Sequence, residues 1–168
     1  MGNYIANSLN SLNFILTENN LKLGELNYNK WYAFDAEIEL NDNLKYQLIP
    51  EGNWEQKIEL RQNNLKLAEF KMGWNGIIIK TYFENIENCY LLKHKGILNS
   101  KFILTNTENQ ELIAAVPNFK WKTLNYNYNI ETAKEFDDLP NNQLLLFTIL
   151  HCLNYYMIIM LAPELGLK

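Results

Sequence analysis

Eighteen consecutive residues near the end of the chain, Leu144 to Leu161 (LLLFTILHCLNYYMIIML), carry no charge. A helix built from such a run has no polar face, so either lipid or protein must enclose it. Eighteen residues is the short limit for crossing a bilayer. Thr148, His151, Asn154, Tyr155 and Tyr156 interrupt the run. Each Leu or Ile gains only roughly 0.3–0.6 kcal/mol on membrane insertion, so the balance for spanning is marginal. The nearest positive charges are Lys134 and Lys168, and no basic cluster orients the segment across a membrane. The sequence predicts a buried helix over residues 141–161, with no transmembrane span. The Asn141-Asn142 pair is available as its N-cap. Leu145, Ile149, Cys152, Tyr156 and Ile159 are its expected core positions.

The preceding segments supply the enclosure. In YAFDAEIEL, Tyr32, Phe34, Ala36, Ile38 and Leu40 alternate with Asp35, Glu37 and Glu39, the period-two mark of a half-buried strand. LKYQL and KIELR repeat it, and GIIIKTYF, CYLLKHK, SKFILTN, ELIAAV and YNYNIET follow. Turn residues separate them at NDN, PEGN, RQNN, WNG and TNTENQ. Asn75-Gly76 suits a type I′ hairpin turn. Strands recurring every roughly 8–12 residues imply a sandwich or barrel. Followed by one wholly apolar helix, they imply a mainly β fold: a closed antiparallel barrel wrapped around that helix. The 168 residues form one domain on this reading, with residues 1–12 as a loosely ordered lead-in.

Composition narrows the function classes. Charged residues are 20% and aromatics 13%, which excludes a disordered chain. The net charge of -4 argues against nucleic acid as a partner. Cys89 and Cys152 lack the spacing of a disulfide framework or zinc site and read as buried thiols. The N-terminus has no secretory signature, and Ala6 stands where a myristoylation motif needs Ser or Thr. The expected location is cytoplasmic, or peripheral to a membrane. Abundant asparagine reads as compositional bias without attached chemistry. No phosphate loop, nucleophile elbow or zinc motif is present, so no cofactor, metal or catalytic residue is assigned and a non-enzymatic chain is expected.

The strand NYNYNIE, the segment SKFILTNTENQELIAAV and the ending DDLPNNQLLLFTILHCLNYYMIIM together resemble the tubby C-terminal-like group. That group includes the LURP-one-related proteins and the phospholipid scramblases. The resemblance covers residues 12–161 and rests on strand rhythm and the terminal helix, without a diagnostic short motif. It implies a closed barrel around a hydrophobic C-terminal helix. Tubby domains bind phosphoinositide head groups through basic residues, and scramblases are linked to lipid movement. LURP-one-related members, small bacterial ones included, mostly have no assigned activity. The resemblance therefore implies fold far more than function.

The best candidate ligand-binding patch is Lys93, His94, Lys95 and Lys101, with Lys120 and Lys122 further on. Lys93 and Lys95 share one strand face and can meet an anion together. Asp35, Glu37 and Glu39 read as a solvated strand face. His151 and Cys152 are adjacent on a helix, about 100° apart, so they do not form a nucleophile pair. A hydrogen-bonded core histidine is expected at 151. Trp31, Trp54, Trp74 and Trp121 read as packing aromatics, with Trp74 exposed at a hairpin. Three function classes stay open: a binding or regulatory module for anionic lipid head groups or a protein partner, a membrane-associated scramblase-like protein that handles lipid, and a carrier or enzyme with a pocket inside the barrel.

Overall fold

A computed structural model describes residues 1–30, 34–51, 57–96, 100–120, 122 and 125–161, with side chains described through residue 159. It contains β1 (Asn3–Ser8), β2 (Asn13–Glu18), β3 (Leu21–Tyr28), β4 (Ala36–Leu40), β5 (Lys45–Glu51) and β6 (Lys57–Gln62). These are followed by β7 (Leu65–Gly73), β8 (Gly76–Thr81), β9 (Asn88–Lys95), β10 (Lys101–Asn106), β11 (Glu111–Lys120) and β12 (Asn125–Thr132). A short helix α1 (Lys134–Asp137) leads into α2 (Asn142–Leu161). Each strand pairs antiparallel with its sequence neighbours, and β1 pairs with β12. The sheet therefore closes into a twelve-stranded barrel without a free edge.

The strands alternate as the sequence predicts. Phe14 and Leu16, Leu26 and Tyr28, Ile38, Leu48, Ile58 and Leu60, Phe70, Ile77 and Ile79 are buried in one core. Through that core runs α2. Leu144 to Leu150 are buried at seven successive positions, which covers every face of a helix with 3.6 residues per turn. Of the stretch Asn142–Ile159, 67% is buried. Thr148 donates its hydroxyl to the Leu144 carbonyl at 2.9 Å, so its polar atom is satisfied within the helix. Gly24 lets the wall approach the helix: a Cβ there would lie 2.4 Å from the Glu39 carbonyl oxygen and 3.0 Å from the Phe147 ring.

Three expectations need correction. Residues 1–12 are not a loose lead-in, because β1 is the strand that closes the barrel. Tyr4, Ala6 and Ser8 face the interior, and Gly2 exchanges bonds with Thr132 (its N–H to Oγ1, 2.9 Å; Thr132 N–H to the Gly2 carbonyl, 3.0 Å). Small inward residues hide this strand from a hydrophobicity reading. Ile159 is not a core position: it is 36% exposed, since α2 has by then reached the barrel mouth. The hairpin at residues 72–76 turns over Trp74 and Asn75, because Gly73 pairs with Gly76. The positive φ (+135°) falls on Gly76, where a Cβ would lie 2.2 Å from the Leu92 carbonyl oxygen.

Asparagine also has a structural role that composition alone does not reveal. Asn19, Asn20, Asn43, Asn63, Asn85, Asn109 and Asn141 all have positive φ. Asparagine tolerates this left-handed region better than other side-chain-bearing residues. All seven lie at the same end of the barrel, in the turns after β2, β4, β6, β8 and β10 and before α2. Because α2 starts there, this is the entry end. The opposite, exit end carries the turns after β1, β3, β5, β7, β9 and β11.

The enclosed helix should dominate stability. Leu150→Ala is expected to lower the unfolding free energy by about 2–5 kcal/mol, the range for a buried Leu that leaves a cavity. Leu146→Lys, which puts a charge into the same core, should abolish cooperative unfolding altogether. Urea denaturation followed by tryptophan fluorescence checks both.

A lysine and tryptophan face at the exit end

Strand pairing divides the predicted patch. On β9, Tyr90 and Leu92 face the core, so His94 shares their side and Lys93 and Lys95 face out. His94 contacts Ser100 Oγ through Nε2 at 2.6 Å. Its ring lies 5.0 Å from that of Phe102 and is stacked 5.4 Å from that of Tyr156. His94 therefore belongs to the aromatic closure of the barrel mouth and leaves the outward patch. Tyr156 is half-buried there, 5.2 Å from Phe102. Leu145, Ile149 and Cys152 are buried as expected.

The outward lysines come together at the exit end. Lys95 lies directly opposite Lys101 across the β9–β10 pair. Lys57 lies directly opposite Lys71 across the β6–β7 pair. Like charges in direct cross-strand register disfavour the sheet, and here two such pairs occur at one end. Lys57 is compensated by Glu59 at 2.7 Å and Glu69 at 3.7 Å, and Lys95 by Glu111 at 2.9 Å. Lys71, Lys93 and Lys101 have no ion pair among the described residues. Between the two pairs rises the β7–β8 turn with Trp74 at its tip, fully exposed. Lys57 and Lys71 were not legible as part of the patch, because only the strand register brings them beside Trp74. Of the other tryptophans, Trp31, Trp54 and Trp121 lie outside the described residues.

Other charges are balanced on the barrel wall. Glu59 is buried on the outer face, where Arg61 (2.6 Å) and Lys57 (2.7 Å) hold it. Burial opposes its ionisation, but the Lys57 and Arg61 hydrogen bonds prevail and hold its carboxyl below the usual range. Glu37 and Glu39 share Lys45 at 2.8 and 3.3 Å, and Asp35 precedes β4 and accepts from the Asn29 amide. The acidic stripe is thus a solvated, partly paired surface. Among the described residues no group of three or more His, Cys, Asp or Glu side chains could hold a metal ion.

Inside the exit half, α2 presents its polar groups to the wall. Asn154 donates to the Tyr28 hydroxyl (3.1 Å) and accepts from the Tyr128 hydroxyl (2.9 Å). Burial pushes both phenols up. His151 departs from expectation. Neither ring nitrogen has a hydrogen-bond partner among the described residues. The ring is stacked on Tyr28 at 5.3 Å and meets Phe70 at 5.4 Å. Burial lowers its pKa to about 3 and raises that of the Cys152 thiol well above normal. A neutral imidazole and a protonated thiol, both fully buried, form no activated nucleophile.

The His151 environment gives a pH prediction. Its folded-state pKa lies below the ordinary 6.5, so the unfolded chain takes up the proton first. Stability is unaffected above the unfolded pKa and falls as pH drops from there toward the folded value, by about 1.4 kcal/mol per pH unit. His151→Leu removes this slope and the desolvated nitrogens, and should be neutral or stabilising at pH 7. Urea midpoints for both chains between pH 7 and pH 4 check it: equal acid slopes would contradict the assignment.

No protein-family model matches the chain, and no curated protein or solved structure does either.

Proposed function

We propose that this chain is a non-enzymatic binding module that docks peripherally on anionic lipid head groups through its exit end. The observation that carries the reading is the fully exposed Trp74 standing between two cross-strand lysine pairs. Indole rings favour the membrane–water interface, where an apolar body meets polar head groups. Lysines near an anionic leaflet contribute about 1 kcal/mol each. An arrangement that costs the sheet repulsion when alone loses that cost beside an anionic surface. The apolar helix is enclosed by the barrel, so docking uses the surface and not a span. The barrel around an apolar helix is also what the tubby-like resemblance leads one to expect, and membrane docking in the cytoplasm suits that group.

Liposome flotation tests the proposal. Protein should float with anionic vesicles at low salt, float less at high salt and stay at the bottom with neutral vesicles. Lys71→Gln with Lys101→Gln should lower partitioning about thirtyfold, as two lysines of about 1 kcal/mol each predict. Trp74→Ala should weaken binding at both salt levels, since its contribution is not screened. Absence of flotation with anionic lipid at low salt, for protein dilute enough to be monomeric, would refute the docking.

A further inference from the structure

The two ends of the barrel differ in chemistry on the same side of the wall. Along β7 to β10, the exit end carries Trp74, Lys71, Lys95 and Lys101. Over the same strands the entry end carries exposed Leu65 and Ile86 together with Glu84 and Glu108. Its turns 63–64, 82–87 and 107–110 contain no basic residue. Glu84 and Glu108 have no ion pair among the described residues, whereas neighbouring Glu87 is held by Lys80 at 3.0 Å. Leu65 opens β7 and Trp74 follows its last residue, so apolar knobs stand at opposite ends of one strand. The entry-end bases Arg61, Lys66 and Lys80 are each held by a glutamate (Glu59, Glu69 and Glu87), which leaves Glu84 and Glu108 as the unpaired charges beside Leu65 and Ile86.

We propose that the chain self-associates head to tail, with the exit end of one copy seated on the entry end of the next. A translation along the barrel, with the turn that strand tilt imposes, brings Trp74 onto Leu65 and Ile86. It also brings Lys71, Lys95 and Lys101 toward Glu84 and Glu108. The occupant is a second copy because this chain itself supplies the complementary charge and the apolar contact. Along β7 to β10 the charges without an ion pair among the described residues are Lys71, Lys93 and Lys101 at the exit end and Glu84 and Glu108 at the entry end, so joining like ends would bring like unpaired charges together. The contact is therefore heterologous and, unless the rotation closes a ring, open-ended. The inference goes beyond lipid docking and needs no lipid, but stacking covers the face proposed to meet the membrane, so the two exclude each other.

Sedimentation velocity of the purified protein over a wide concentration range, at low and high salt, tests the stack. The expected result is a mass that grows with concentration at low salt and collapses to monomer at high salt. Glu84→Lys with Glu108→Lys, or Lys71→Glu with Lys101→Glu, should each give a monomer at low salt. A chain with all four substitutions should associate again, because the charges are exchanged between ends. A wild-type chain that stays monomeric at every concentration overturns the proposal, as does a plateau at dimer or a four-fold variant that fails to reassociate while remaining folded by circular dichroism. Flotation separates this from the lipid proposal: the Glu84/Glu108 variant should be monomeric yet still float with anionic vesicles, and the four-fold variant should stack without floating.

Discussion

The architecture depends on one constraint: α2 has no polar side. A helix that can be solvated on one stripe can lie against a sheet, but this one must be surrounded. A closed barrel surrounds it and at the same time pairs every strand edge. The dependence is mutual. Twelve strands enclose a lumen too wide for their own inward side chains to fill, and Leu144 to Leu150, buried on all sides, supply the missing volume. Gly24 marks how close the fit is, since a single Cβ there would meet both the wall and the Phe147 ring.

The same enclosure fixes how polar groups inside are treated. Asn154 spends its amide on two tyrosine hydroxyls from β3 and β12, which ties the helix to two distant strands and sets its rotation. His151, three residues earlier and one turn deeper, finds only aromatic faces. A polar group in a dry interior remains tolerable only if uncharged, and the lowered pKa expresses that. The lumen is thus a structural interior with one satisfied polar anchor and one unsatisfied ring.

How much of this could be read from the sequence follows from which interactions are local. The alternation in AEIEL and KIELR and the uncharged terminal run report burial directly, and from them a barrel around a helix is legible. β1 was not, because Ala6 and Ser8 face inward and look like loop residues. The candidate patch shows the same divide. Lys93 and Lys95 are two residues apart and share a strand face in the sequence itself, whereas His94 belongs to the opposite side by strand parity. Lys57 and Lys71 meet only through the β6–β7 register, which a turn of the RQNN type does not specify to the residue. Seven asparagines hold positive φ at one end, a backbone requirement that composition conceals.

That concentration of charge at opposite ends has a competing explanation in the helix macrodipole. α2 points its N-terminus at the acidic entry end and its C-terminus at the lysine-bearing exit end, the favourable arrangement for both. Asp137 lies outside the first turn of α2 and is held instead by the Met1 ammonium at 2.9 Å and by the Thr132 hydroxyl. The dipole does not extend to the outer wall either. It acts within the first or last turn, while Lys71, Lys95 and Lys101 project from the far side of the sheet that encloses the helix. It also favours any lysine near the C-terminus equally and does not call for lysines in direct register with one another, where they repel. Nor does it call for an indole standing clear of the chain between them. The helix dipole therefore does not account for the outer lysines and Trp74, which is why they carry the docking proposed above.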